Sequence, residues 1–148
     1  MRAFVFVITS SAVTIFGAIV AILGTAWIDD IALKVGMHYG HPSVIGFLVA
    51  FPLDIALYTS LAWLIAVVAK SKAVECNVIA GTLANIPIAA FTAMTTKPHP
   101  GGWMEALEYY ARWYIPALSV LPVFLLVGWL AKRRLALAAA NSVKNIAN

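Results

Sequence analysis

The sequence predicts an all-α polytopic membrane protein: four transmembrane helices in two tandem hairpins, with both termini in the cytoplasm. Three observations predict it. The chain has 148 residues, 63% of them hydrophobic and 11% charged, with a mean hydropathy of +0.92, too apolar for a soluble domain of this size. Its apolar residues gather in four runs, 3–28, 43–69, 74–96 and 113–131, each close to or above the roughly 20 residues that span a hydrocarbon core of about 30 Å. Its basic residues alternate between the ends of those runs. Arg2, Lys70, Lys72, Lys132, Arg133, Arg134 and Lys144 fall on one side, against Lys34, Lys97 and Arg112 on the other. That bias places the termini and the 70–73 turn inside the cell and the loops 29–42 and 97–112 outside.

The same placement accounts for the net charge of +4 and the pI near 9.4. The basic residues form no patch interleaved with aromatics, so nucleic acid is not an expected partner. A single cysteine, Cys76, excludes an intramolecular disulfide and any multi-cysteine metal site. The first run exceeds the 7 to 15 residues of a signal-peptide core, which predicts a retained span. Residues 1–134 then form one transmembrane domain, and 135–148, rich in Ala and Asn, a cytoplasmic tail.

In the first span Ser10, Thr14, Gly17, Ala21 and Gly24 recur every three or four residues, a small-residue stripe that lets another helix approach. The second carries Gly46, Ala50, Asp54, Tyr58 and Ala62 at strict four-residue spacing, so its one acid projects from a small-residue face. Pro52 lacks an N–H and predicts a kink beside that acid. The third places Asn77, Gly81 and Asn85 on one face, followed by Pro87. Asn85 and Asp54, on either side of a short turn, are expected at similar depth and in reach of each other. The fourth contains Pro116, Ser119, Pro122 and Gly128 before its basic end; ahead of it, 103–112 reads as a short amphipathic helix in the outer interface. Trp27, Tyr39, Trp113 and Tyr114 mark an outer aromatic belt, and Trp63 and Trp129 the inner one.

Asp54 is the most informative residue. An ionisable group inside a span is expensive and usually functional, and a carboxyl there suits a proton or a substrate ammonium. The competing expectation is a packing acid hydrogen-bonded to Asn85, Tyr58 or a threonine. Asp54, Asn85 and Tyr58 are the candidate binding residues, with Pro52 and Pro87 as gating kinks. His38, His41 and His99, near Asp29, Asp30, Glu105 and Glu108 in sequence, are weak candidates for zinc or copper, because His-Tyr-Gly-His is no metal signature. Capping at the interface explains them more simply. No cofactor is expected. The sequence holds no Gly-rich phosphate loop, no Ser/His/Asp set and no paired acids within one run, which disfavours an enzyme.

The residues LVAFPLDI at 48–55, the short basic turn, NIPI at 85–88, Trp103 in an outer loop and Lys-Arg-Arg at 132–134 resemble the bacterial L-alanine exporter family. The resemblance implies a four-span protein of the bacterial inner membrane that exports an amino acid or similar small solute. The family's acid in its first helix has no counterpart within 3–28, and the family has an Asn-like residue where Asp54 stands here. Four helices packed 8 to 10 Å apart leave little lumen, so a pathway implies a homo-oligomer. The alternative is a non-catalytic subunit or stabilising partner of a larger membrane complex.

Overall fold

The computed structural model describes residues 2–40, 42–95 and 102–147, with side chains described for 4–40, 44–94, 102, 114–115 and 118–138. Helix is the only regular structure among them: α1 (Arg2–His38), α2 (Pro42–Ala69), a 3₁₀ turn (Lys70–Lys72), α3 (Ala73–Thr95) and α4 (Trp103–Ala147). Two stretches, Phe4–His38 and Val44–Met94, are long and apolar enough to cross a membrane, the second being α2 and α3 with the turn between them.

α2 and α3 follow the sequence pattern closely, because their runs are bounded by strong signals. Lys70 adopts a positive φ of 48° at the turn, ending α2 as the first cations arrive. α1 does not stop at Ile28 as expected; it continues to His38. Charge ends an apolar window but not a helix. Residues 29–38 contain no proline, and Asp30 and Lys34 pair one turn apart on the exposed face. The helix ends instead at Gly40, whose φ of 74° is the left-handed conformation that terminates helices, with the Gly40 N–H donating to the Met37 carbonyl at 3.2 Å. α4 likewise joins three expected pieces, the interfacial helix, the span and the tail, into 45 helical residues. The second join, KRRLALAAA at 132–140, is rich in Ala, Leu and other strong helix formers.

α1 lies along α2, and α3 along α4. α2 also packs on α4 and α1 on α3, whereas α1 and α4 share no contact among the described residues. The order around the bundle is therefore α1, α2, α4, α3. α2 and α3, though joined by the tightest turn, pack on each other less than either packs on α1 or α4. Small residues set the close approaches. A methyl group at Gly17 would lie 2.7 Å from Ile65 Cδ1 and one at Gly24 2.5 Å from Leu57 Cδ2, while at Gly46 it would be 3.6 Å from the Ala32 carbonyl oxygen. These three pairs fix an antiparallel register for α1 on α2.

The interior combines alanines (Ala18, Ala21, Ala62, Ala80, Ala84) with Tyr58, Ile65, Val120 and Phe124. The outside is apolar too: Phe16, Leu23, Trp27, Leu48, Leu64, Ile86, Met94 and Leu126 are all exposed. At the end of the bundle near the Lys70–Lys72 turn, Arg134 of α4 lies 5.5 Å from the Trp63 ring centroid on α2, and Arg133 lies 5.6 Å from that of Trp129.

Candidate functional site

The α2 ladder points inward. Ala50, Asp54, Tyr58 and Ala62 are all buried, Asp54 with no exposed surface. Neither oxygen of its carboxyl has a hydrogen-bond partner among the described residues. Four residues on, the Tyr58 hydroxyl is 2.6 Å from the Thr25 hydroxyl of α1, and its ring packs on Phe124 of α4 with centroids 6.4 Å apart. Tyr58 thus ties three helices together beneath the acid. Thr25 lies beside the Asp54 carboxyl, but its hydroxyl is paired with Tyr58 and leaves both carboxyl oxygens without a hydrogen bond. Other buried threonines, Thr14 and Thr92, bond to the carbonyl four residues back on their own helix. Thr25 instead reaches across to Tyr58.

The extension of α1 adds a residue that sequence reasoning had placed in an outer loop. In the α1–α2 register, Asp29 falls within about one helical turn of the level of Asp54. It is half-buried and near enough to act on the Asp54 carboxyl electrostatically. Two acids from neighbouring helices therefore stand within electrostatic reach of each other where the sequence suggested one. A signal was available: small residues continue along α1 past Gly24 at Thr25 and Ala32, seven apart and both buried.

Asp29 and Thr25 also line a cavity of about 260 Å³ between α1 and α3, with Ile22, Ala26, Pro87, Ile88, Phe91 and Thr92 as its other walls. It occupies the half of the bundle away from the Lys70–Lys72 turn. Pro87, expected as a kink, is exposed and forms part of this wall; Pro52 is exposed on the outside of α2, and each lies inside a continuous helix.

Asn85 is not a partner of Asp54. Its side-chain oxygen is buried and unpaired. Asp54 precedes Lys70 by 16 residues and Asn85 follows Lys72 by 13, so Asn85 sits about 4.5 Å nearer the turn, and the modest α2–α3 packing does not close the gap. Of the polar groups expected to satisfy the acid, none forms a hydrogen bond with it. Asn77 is fully buried where α3 meets Gly128 of α4, its amide donating to the Ala73 carbonyl at 2.9 Å.

His38 is exposed and meets the Tyr39 ring edge-on, centroids 5.1 Å apart; His41 and His99 lie outside the described residues. No group of three or more His, Cys, Asp or Glu is placed to hold a metal among the described residues. Cys76 is buried and unbonded.

Replacing Tyr58 with Phe removes the bond to Thr25 but leaves that hydroxyl free to bond to its own helix. The expected loss is about 0.5–1 kcal/mol, read as a small fall in the unfolding midpoint in detergent. A larger loss would mean that the hydroxyl also supports Asp54. Compared with protein-family models, with curated proteins and with solved structures, the chain matches none.

Proposed function

We propose that the protein is a four-span transporter of the bacterial inner membrane, its termini cytoplasmic, that moves a small solute past Asp54 and Asp29. The observation that carries this reading is the orphaned carboxyl. A buried acid without partners weakens a fold, since each unsatisfied group forfeits its hydration. Its presence is accounted for if a ligand or proton supplies the partner. The apolar exterior supports lipid as the solvent, because a surface of this kind is a liability in water. The Arg134–Trp63 and Arg133–Trp129 contacts suit a cytoplasmic boundary, where basic and aromatic side chains anchor in the headgroups.

With Lys70 at that boundary, Asp54 stands about 24 Å along the helix from it, in the outer half of a core about 30 Å thick. The cavity lies at that depth. A single bundle with an alanine-packed centre has no continuous lumen, so the passage is formed by rearrangement around the cavity or between copies of the chain.

The test is reconstitution into sealed vesicles and measurement of the release of trapped small amino acids and amines. Release well above that of empty vesicles is expected. No release of any of them, with the chain recovered from mild detergent bound to a larger membrane assembly, would replace transport with an accessory-subunit role. Exchanging Lys70 and Lys72 for Gln while adding two lysines to the 29–42 loop should invert or scramble the topology, as read by protease access to a C-terminal tag.

A further inference from the structure

We infer that the α1–α3 cavity is a site for a small organic cation, a protonated or quaternary amine with an apolar body, and not for a zwitterion. This rests on the transport reading above and narrows its substrate. The cavity wall is apolar on both helices, through Ile22 and Ala26 on one side and Ile88 and Phe91 on the other. Its charged lining residue is Asp29. Behind the Thr25–Asp29 wall stands a second carboxyl, Asp54, wholly buried and with both oxygens unpaired. In its ionised form that carboxyl is an acceptor without a donor.

Among the described residues no cationic side chain lines it. Lys34, one turn beyond Asp30, is paired with it on the exposed face of α1, and Lys70 and Lys72 are at the far end of the bundle. The carboxylate of an amino acid would therefore enter a low-dielectric crevice whose described lining offers it an acid, Asp29, and no counter-charge, an arrangement that disfavours it. A lone positive charge meets the opposite situation. Asp29 attracts it, Asp54 adds to the field from behind Thr25, and the Thr25 hydroxyl can accept from an ammonium N–H. The volume of about 260 Å³ falls just below the range of roughly 300–1,000 Å³ usual for drug-sized ligands, which restricts the ligand to a small one.

The experiment is equilibrium binding to the full chain in lipid nanodiscs, with tetraethylammonium, butylammonium and alanine as probes. The two cations should bind and saturate, alanine should not, and Asp29→Asn should weaken cation binding about tenfold or more. Asp29 is half-buried and has no hydrogen bond among the described residues, so this variant keeps its fold, checked by unchanged elution. Asp54→Asn should weaken the same binding as a second, independent variant. Alanine binding with no cation binding, or cation binding unmoved by both substitutions, overturns the proposal. The two readings fail separately. Cation binding without vesicle flux removes transport and keeps the site, whereas flux of alanine without cation binding keeps transport and removes this substrate class.

Discussion

Asp54→Asn should abolish solute movement, lowering vesicle flux by at least tenfold, while leaving the protein as stable as before or more so. The two effects have one cause. The carboxyl is enclosed with neither oxygen hydrogen-bonded, so in the resting fold it contributes desolvation cost and little else. A neutral amide of nearly the same shape carries a smaller cost. A side chain that weakens the fold and is needed for activity fits the general trade between stability and function. Flux in vesicles and the midpoint of unfolding in detergent, measured on one preparation, separate this from a packing role. If Asn at 54 lowered the midpoint by the equivalent of 2 kcal/mol and left flux intact, the acid would be structural.

The second large effect is expected on the opposite side of the bundle. A methyl group at Gly81 would lie 3.0 Å from Phe124 Cβ and 3.3 Å from the Leu121 backbone; at Gly128 it would lie 3.1 Å from both the Ala73 carbonyl oxygen and Asn77 Cβ. Backbone and Cβ atoms cannot rotate away as the end of Leu57 can from Gly24. Gly81→Val and Gly128→Val should each force α3 and α4 apart and cost about 1–3 kcal/mol or more. Gly24→Ala, which meets only the tip of Leu57, should cost clearly less. Equal sensitivity of the three glycines in detergent unfolding would show that the α3–α4 seam is not the tight one.

Much of this fold could be read from residue spacing. The four-residue ladder of α2 put Asp54, Tyr58 and Ala62 on one face, and that face is buried because a helix repeats its direction nearly every four residues. The 70–72 turn stood out because two lysines interrupt a long apolar run. What the hydropathy pattern hid was the end of α1. A window of hydropathy closes at Asp29-Asp30, but a helix closes only where the backbone must leave the α region, which here is Gly40. That difference of some ten residues moved Asp29 from a loop into the site. Thr25 was equally hidden: whether a threonine bonds to its own helix or to a neighbour depends on who stands opposite, and Tyr58 is set there by packing. Asp54 and Asn85 form no hydrogen bond for a related reason, since adjacency in sequence does not decide which helices of a bundle share the broadest face.

The most direct test of the account is the side of the membrane from which position 29 can be reached. With Cys76 replaced by Ala and Asp29 by Cys, a small membrane-impermeant cationic thiol reagent should label the protein in right-side-out vesicles and not in inside-out ones, and tetraethylammonium should slow the reaction. Labelling from the cytoplasmic face, or at equal rates from both, would contradict an outward-opening cavity between α1 and α3.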